Sequence, residues 1–199
     1  MILIIDYGMG NLRSVQKAFE KSASDVRVAS DPRLLESADR VVLPGVGAFG
    51  DAGKNIDRLQ LRDPLIEWIK KGRPFLGICL GLQFLMTFSE EKGYHAGLNR
   101  VPGAVKRFEK GLKVPQIGWN QVSYPKQSVL FQDVPENSYF YFVHSYYVAP
   151  EDPAVVAGKT DYGISYASAV ASDNLFGVQF HPEKSQEAGL TVIRNFCNL

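Results

Sequence analysis

Short hydrophobic runs alternate with stretches of helical spacing along the first half of the chain. The hydrophobic runs predict strands at residues 1–6, 25–29, 40–43 and 74–78. Helical spacing predicts helices after Asn11, at 32–38, within 55–71 and at 80–88. Asn11 is a residue type suited to the N-cap of the first helix. Strands that alternate with helices over short connections favour a parallel sheet with right-handed crossovers.

After Gly93 the pattern changes to short strand-like stretches separated by turn signals. These stretches lie at residues 105–108, 121–124, 139–148, 155–159, 165–171 and 175–180, and residues 186–198 close the chain with helical spacing. We expect the later strands to be antiparallel or mixed and to extend the first sheet. The predicted class is α/β, a mostly parallel central sheet flanked by helices and extended by antiparallel strands, in a single domain spanning residues 1–199.

Composition and charge narrow the classes of function. The chain has 199 residues, of which 45% are hydrophobic, enough for one compact domain with a full core. A net charge of +1, from 22 basic and 21 acidic residues without long runs of either sign, gives no support for binding nucleic acid or an anionic membrane surface. The longest apolar runs are strand-sized, so no membrane span is expected, and the N-terminus lacks the pattern of a signal peptide.

Cysteine and histidine usage argues against disulfides and metals. Cys79 and Cys197 lie far apart in the sequence, so a disulfide framework is not expected, and a reducing cytoplasm fits best. The histidines, His95, His144 and His181, form no pair at helical ligand spacing, and no Cys-x-x-Cys is present. We therefore expect no metal and no other cofactor.

Residues 75–81, Phe-Leu-Gly-Ile-Cys-Leu-Gly, carry the most informative pattern. An apolar strand leads into Cys79, and an apolar helix begins at once. Gly77 and Gly81 flank the cysteine at the spacing of a nucleophile elbow, a strained strand-to-helix turn that presents the side chain. A thiol at a helix N-terminus is favoured as the thiolate. Taken alone, the segment fits a buried structural cysteine equally well, because free cysteine is among the most buried residue types.

Residues 177–183, Gly-Val-Gln-Phe-His-Pro-Glu, favour the catalytic interpretation. In an extended chain, residues i and i+2 point to the same side, so the carboxylate of Glu183 can hydrogen-bond the imidazole of His181. Pro182 keeps the chain extended between them. A carboxylate on one ring nitrogen leaves the other to take the proton of Cys79, as in a catalytic triad.

The loop at residues 44–47, Pro-Gly-Val-Gly, follows a predicted strand and supplies a candidate oxyanion hole. The backbone N–H groups of Val46 and Gly47, joined by that of Leu80, could stabilise a tetrahedral oxyanion, each by about 3 kcal/mol. A tight turn without a catalytic role would use the same residue types.

Two other functions compete. Residues 6–13, Asp-Tyr-Gly-Met-Gly-Asn-Leu-Arg, follow the first strand, and Asp31 lies where the ribose-binding acid of a dinucleotide fold would lie. Arg13 occupies the third glycine position, where a helix packing closely on the strand needs a small residue, and this disfavours nucleotide binding. A noncatalytic α/β binding module would leave the Cys–His–Glu set unexplained.

Residues 77–83, Gly-Ile-Cys-Leu-Gly-Leu-Gln, and 181–183, His-Pro-Glu, resemble the paired signatures of class I, triad-type glutamine amidotransferases. Matching motifs at residues 6–15, 43–49, 115–120, 142–148 and 177–185 spread the resemblance along most of the chain. It implies a doubly wound α/β fold and hydrolysis of L-glutamine to glutamate and ammonia. The motif set is most similar to members that form a heterodimer with a (β/α)8-barrel cyclase of histidine biosynthesis and pass it the ammonia.

The resemblance also implies a role for each matched residue. Cys79 is the nucleophile, His181 the general base and acid, and Glu183 the group that orients His181. The residues implied to supply oxyanion N–H groups are Val46 and Leu80. Those implied to hold glutamine are Gly47, Gln83, Ser145 and Tyr146. Those implied to face the partner are Asn11, Trp119, Tyr141 and Lys184.

Two departures from the family pattern concern the partner more than the triad. Gln116 stands where a histidine is expected, and residues 97–101 are more polar than the usual glycine–aliphatic run. Two alternatives stay open: a glutaminase of the same class serving pyridoxal phosphate, anthranilate or guanylate synthesis, and a catalytically silent scaffold subunit. We expect low glutaminase activity without the partner, because the loop at 45–47 can turn its peptide groups out of donor geometry.

Overall fold

A computed structural model describes residues 1–109 and 111–199. The helices are α1 (Leu12–Phe19), α2 (Phe49–Arg58), α3 (Arg62–Lys70), α4 (Leu80–Phe84) and α5 (Gln186–Cys197). Short 3-10 helices cover Pro32–Ser37, Val129–Phe131, Pro153–Val155 and Pro182–Lys184. The strands are β1 (Ile2–Ile5), β2 (Val26–Ala29), β3 (Arg40–Gly45), β4 (Phe75–Cys79), β5 (Met86–Ser89), β6 (His95–Ala96), β7 (Val101–Arg107), β8 (Gln116–Val122), β9 (Ser138–His144), β10 (Tyr146–Pro150), β11 (Val156–Asp161), β12 (Ser165–Ser172) and β13 (Leu175–Val178).

Within the described residues, eleven strands form one sheet in the order β2-β1-β3-β4-β13-β12-β10-β7-β5-β6, with β11 paired to β12. The strands from β2 to β13 in this order pair in parallel, whereas β13, β12, β10 and β7 pair antiparallel. The strands β8 and β9 form a separate antiparallel ribbon. The predicted class, a mostly parallel central sheet extended by antiparallel strands, is confirmed.

The parallel part of the sheet is buried on both faces. Leu3 and Ile5 of β1 pack in one core with residues of α2 and α3, while Ile2 and Ile4 pack in the other with residues of α1 and α5. This alternation follows from the two-residue period of a strand, and continuous apolar runs are typical of parallel strands covered by helices on both sides. The sheet is therefore doubly wound.

The predicted helix at residues 80–88 is wrong beyond Phe84. There α4 ends, and Met86–Ser89 forms β5, which pairs in parallel with β7. The backbone N–H of Leu98 donates to the Phe84 carbonyl at 2.7 Å, and that of Arg100 donates to the Leu85 carbonyl at 2.8 Å. A later segment thus satisfies carbonyl groups at the helix end, and the apolar run continues as a buried strand.

The helix predicted within residues 55–71 is confirmed as α3, and a second helix, α2, precedes it and was not predicted as a separate element. Helix α2 begins earlier, at Phe49, and α3 begins at Arg62. Between them Gln60 has a φ of 55°, in the left-handed region, which ends α2 and redirects the chain.

The strand predicted at residues 139–148 divides at Ser145. Its first part is β9, which pairs with β8, and its second part is β10, which pairs with β7 and β12. The break places His144, Ser145 and Tyr146 at a junction between the ribbon and the main sheet. No helix among the described residues is long and apolar enough to cross a membrane.

Candidate active site

Cys79 is the last residue of β4, and α4 begins at the next residue. Its backbone φ is 55° and ψ is −105°, an unfavourable conformation for a residue with a side chain. Its side chain is close to fully buried, with the residue 5% exposed. The predicted strand-to-helix turn at this cysteine is confirmed.

The glycines that flank Cys79 are required by close backbone approach. A Cβ on Gly81 would lie 1.7 Å from the carbonyl oxygen of Leu43, and one on Gly77 would lie 2.6 Å from the carbonyl group of Gly81. Contacts this short with backbone atoms cannot be relieved by rotating a side chain. The two glycines therefore allow α4 to pack against β3 and β4 directly behind the thiol.

His181 reaches the same site because β13 lies beside β4 in parallel. The carboxyl ends of parallel neighbours meet at one edge of the sheet, and His181 follows β13 there. Its backbone N–H donates to the Tyr141 carbonyl at 2.9 Å, and its carbonyl accepts from the Ser185 hydroxyl at 2.6 Å. These two hydrogen bonds hold the backbone of His181 and so position its imidazole ring.

Glu183 contacts His181 as the sequence predicts, but the predicted extended chain between them is wrong, because Pro182–Lys184 forms a 3-10 helix that begins after His181. The distance between Nδ1 of His181 and Oε1 of Glu183 is 2.9 Å, and both side chains are almost completely buried. The second carboxylate oxygen, Oε2, is buried and has no hydrogen-bond partner among the described residues. Since a buried carboxylate needs compensation, the imidazole is its main source of stabilisation.

The protonation of His181 follows from its neighbours. Burial by itself would lower the pKa of His181, but hydrogen bonds and charge interactions with Cys79 and Glu183 outweigh it and raise the pKa to about 10. The imidazole is therefore held as the cation beside the sulfur. A thiol beside a protonated imidazole is the arrangement that favours a thiolate nucleophile.

A cavity of about 290 Å³ opens at the thiol. Its lining includes all of the residues that the resemblance assigned to glutamine binding, together with Cys79 and both oxyanion candidates: Val46, Gly47, Cys79, Leu80, Gln83, Ser145 and Tyr146. The register of β3 against β4 pairs Gly45 with Cys79, which brings the loop after β3 to the sulfur. The volume suits a ligand the size of an amino acid.

Three residues of this site with polar side chains were not assigned from the sequence. Glu91 lines the cavity, and its Oε2 accepts from the Phe49 N–H at 2.8 Å. His144 also lines the cavity, and burial lowers its pKa to about 4, so its imidazole is neutral. Gln179 is fully buried and donates from Nε2 to Sγ of Cys79 at 3.5 Å. Only the position of Gln179 two residues before His181 could have indicated it, since i and i+2 share a face.

The residues implied to face the partner lie at the surface around the same edge of the sheet. Trp119 is 46% exposed and contacts Tyr141 across the β8–β9 ribbon, with ring centroids 5.9 Å apart. The Lys184 ammonium lies 5.9 Å from the centroid of the Tyr141 ring. Asn11 is exposed and is the N-cap residue of α1, although its side chain makes no capping hydrogen bond. The predicted N-cap position of Asn11 is therefore confirmed, without the side-chain hydrogen bond that usually accompanies it.

Gln116 does not lie on that surface. Its side chain is buried, and the Tyr166 hydroxyl is 3.0 Å from its Oε1. The glutamine that stands in place of the expected histidine therefore has its side chain buried beneath the β8–β9 ribbon and not at the exposed face of that ribbon.

Asp31 has a structural role. Its carboxylate accepts from the Arg33 N–H at 2.9 Å and caps the 3-10 helix Pro32–Ser37. It also pairs with the Arg33 guanidinium, which lowers the pKa of the carboxyl. Asp31 is therefore engaged in these local contacts, which argues against its role as the ribose-binding acid of a dinucleotide fold. Among the described residues, no group of three His, Cys, Asp or Glu side chains is arranged to hold a metal ion.

The family model described as "Glutamine amidotransferase class-I" matches residues 3–198. The chain belongs to this family. Among its relatives, "Imidazole glycerol phosphate synthase subunit HisH" of Syntrophotalea carbinolica is 53% identical over 206 residues that cover 100% of both chains. The protein of the same name from Methanothermobacter thermautotrophicus is 53% identical over 199 residues, covering 100% of this chain and 98% of that one. That of Moorella thermoacetica is 52% identical, covering 100% and 94%.

Solved structures with low sequence identity share the fold. A structure titled "Crystal structure of glutamine amidotransferase" superposes with a TM-score of 0.79 at 14% identity and covers 100% of each chain. The structure of PurLQS from Thermotoga maritima gives a TM-score of 0.78 at 18% identity, covering 99% of this chain and 97% of that one.

Proposed function

We propose that Cys79, His181 and Glu183 are the catalytic triad with which this chain hydrolyses L-glutamine. The chain is a glutamine amidotransferase, the glutaminase subunit of imidazole glycerol phosphate synthase in histidine biosynthesis, in line with relatives about half identical over its full length. The observation that carries the residue assignment is the 2.9 Å contact between His181 and Glu183, formed beside a cysteine in a strained strand-to-helix turn.

The proposed reaction proceeds through a thioester. The Cys79 thiolate attacks the side-chain amide carbon of glutamine, forming a C–S bond and moving the carbonyl electron pair onto oxygen. Backbone N–H groups of Val46 and Leu80 stabilise this oxyanion. His181, held at Nδ1 by Glu183, donates a proton from Nε2 to the leaving nitrogen, and the C–N bond breaks to release ammonia. Water, deprotonated by His181, then attacks the thioester and releases glutamate.

Glutamine binding is proposed to use charge as well as shape. The Glu91 carboxylate at the cavity wall complements the substrate's α-ammonium group. Gln83, Gly47, Ser145 and Tyr146 surround the remaining volume and offer polar groups for the α-carboxylate and the side chain. The carboxylate fixed by the Phe49 N–H is already oriented before substrate arrives, which reduces the entropic cost of binding.

We propose a (β/α)8-barrel cyclase as the partner that receives the ammonia. The surface formed by Asn11, Trp119, Tyr141 and Lys184 supports this, because it combines exposed aromatic area with a cation at the edge of the sheet where ammonia is released. A closed route would keep ammonia from becoming ammonium in bulk water. We place the complex in the cytoplasm, where two free cysteines are stable.

The test is glutamine hydrolysis by the chain alone, with the cyclase subunit, and with the cyclase and its phosphoribosyl ligand. We expect the rate to rise when the partner and its ligand are present. Equal rates in all three conditions would contradict the coupling. Pull-down of a barrel cyclase, rather than a synthase of pyridoxal phosphate, anthranilate or guanylate formation, separates this partner from the alternatives.

A matched pair of variants tests the proposed interface. Trp119→Ala should weaken binding of the cyclase by about tenfold, because exposed aromatic residues are the usual anchors of interfaces. Val129 is similarly exposed but lies on the 3-10 helix Val129–Phe131, so Val129→Ala should leave binding unchanged. Titration by isothermal calorimetry measures both. Equal affinities for the two variants would move the interface elsewhere.

A further inference from the structure

Gln179 joins the proposed nucleophile to the proposed substrate cavity. Its side-chain Nε2 lies 3.5 Å from Sγ of Cys79, and its Oε1 lies 3.2 Å from Nε2 of Gln83. Gln83 in turn donates to the Tyr146 carbonyl at 3.0 Å. Gln179 is 0% exposed, whereas Cys79 and Gln83 line the cavity, so its amide approaches the sulfur from the protein interior.

The hydrogen-bond chain fixes which end of the Gln179 amide faces the sulfur. The Tyr146 carbonyl can only accept, so the nitrogen of the Gln83 amide must be the atom that faces it. The same nitrogen donates its second hydrogen to Gln179, whose oxygen must therefore be the acceptor. The nitrogen of Gln179 is left pointing at Sγ, and the orientation follows from the network rather than from a choice of amide flip.

We propose that Gln179 is a further catalytic residue, one that donates a hydrogen bond to the Cys79 thiolate from its buried side and so stabilises the nucleophile before and after each turnover. A thiolate gains from an N–H donor far more than a neutral thiol does, because hydrogen bonds to charged groups are about twice as strong. The inference rests on the proposed function, since it concerns the same sulfur. It also links the cavity to the nucleophile, because Gln83 holds the Gln179 amide while lining the cavity.

The titratable groups near the sulfur are few. His181 is held as the cation, as described above. Burial, with a smaller contribution from Cys79, raises the pKa of the Tyr7 hydroxyl well above its ordinary value. The same burial, opposed by hydrogen bonds to Gln116 and Thr160, raises the pKa of the Tyr166 hydroxyl. The tyrosines thus stay neutral. His144, which lines the same cavity, also stays neutral at pH 7, because burial lowers its pKa to about 4. The other charged groups at the site are Glu91, which lines the cavity, and Glu183, which contacts His181.

The experiment is alkylation of Cys79 by iodoacetamide as a function of pH, in the full chain and two variants, read by mass spectrometry of the Cys79 peptide. Gln179→Met keeps the side-chain volume and removes the donor, while Gln179→Glu places a negative charge beside the sulfur. We expect alkylation at pH 7 to slow by about tenfold in Gln179→Met and further in Gln179→Glu. The pH at half-maximal rate should rise in the same order.

Identical profiles in the three proteins would overturn the inference, as would equal shifts in Gln179→Met and Gln179→Glu, which indicate loosened packing. Failure of the proposed function has a different signature: the unaltered protein would not react with a glutamine-mimicking electrophile. If the variants do not fold, as judged by circular dichroism, nuclear magnetic resonance of the otherwise native chain decides. The side-chain N–H signals of Gln179 should move in Cys79→Ala, and unmoved signals would equally overturn the inference.

Discussion

The two cysteines differ in their position in the fold, in their burial and in the polar groups that contact the sulfur. Cys79 ends a strand in a strained turn and its Sγ accepts a hydrogen bond from the Gln179 side chain, whereas Cys197 ends α5. Burial raises the pKa of Cys197 to about 11, although Arg40 acts in the other direction. Cys79 is nevertheless the more buried of the two. Exposure alone would thus favour Cys197, whereas we expect the polar groups around each sulfur to decide which thiol reacts.

Removing each thiol should give the largest contrast. We expect Cys79→Ala to lower the rate of glutamine hydrolysis by at least about a thousandfold, because the thioester can no longer form. Cys197→Ser should retain the activity of the unaltered chain. A coupled glutamate dehydrogenase assay in the presence of the cyclase measures both. Retained hydrolysis of glutamine in Cys79→Ala would show that Cys79 is no more necessary for the reaction than Cys197.

Neutralising the carboxylate behind His181 should have the next largest effect. Glu183→Gln keeps the shape of the side chain but cannot stabilise an imidazolium, so we expect kcat to fall by about a hundredfold. Glu187→Gln, which alters an exposed carboxylate in the first turn of α5, is the matched control and should leave kcat unchanged. An equal loss in both variants would point to a general charge effect.

The strained turn itself can be tested by adding one methyl group. Gly81→Ala would put a Cβ 1.7 Å from the Leu43 carbonyl oxygen, so we expect the free energy of unfolding to fall by about 2 kcal/mol or more. Gly53 lies in α2, where a Cβ would meet only side-chain atoms at ordinary contact distances. Gly53→Ala should therefore be neutral or stabilising by about 0.5 kcal/mol. Urea denaturation measures the change in the free energy of unfolding for both variants. An unchanged free energy of unfolding in Gly81→Ala would contradict the turn geometry.

The two buried histidines should give the smallest effect when it is expressed per pH unit, and their contributions to the free energy of unfolding should have opposite signs. Burial lowers the pKa of His144 to about 4, so between pH 6.5 and 4 the unfolded chain takes up a proton that the folded chain does not. The free energy of unfolding should therefore fall as pH falls, by up to about 1.4 kcal/mol per pH unit. His144→Asn should remove this contribution, whereas His95→Asn should keep it. Urea denaturation at several pH values gives the slope of the free energy of unfolding against pH for the unaltered chain and for both variants. Equal slopes in the three proteins would contradict the role given to His144.

His181 contributes in the other direction. Its pKa is raised to about 10, so its stabilisation is fully present below about pH 6.5 and is lost as pH rises toward 10. The two effects occupy separate pH ranges and can be measured independently.

The contact that underlies the proposed triad was predictable because its signals are local. A strand that leads into Cys79, glycines two residues away on each side, and a histidine with a carboxylate at i+2 all depend on short-range geometry. The parallel order of β4 and β13, which brings the two segments together, follows from the fold class but not from either motif. That residues 1–199 form a single domain stays a prediction.

Glu91 and His144 could not be assigned to the site from the sequence, because their contacts depend on tertiary structure. Glu91 reaches the cavity only because α4 ends at Phe84 and the apolar run continues as β5. A short apolar run does not distinguish a buried helix from a buried strand. His144 is likewise defined by its partners, since its ring contacts the Tyr146 carbonyl at 2.8 Å and the Tyr166 hydroxyl at 3.2 Å.

The most direct test of the triad is a single labelling experiment on the full chain. The protein is incubated with a chloroketone analogue of glutamine, digested and examined by mass spectrometry for both cysteine peptides. We predict one adduct per chain, located on Cys79, formed faster in the presence of the cyclase and slowed by excess glutamine. An adduct on Cys197, or no adduct under conditions where glutamine is hydrolysed, would contradict the assignment of Cys79 as the nucleophile.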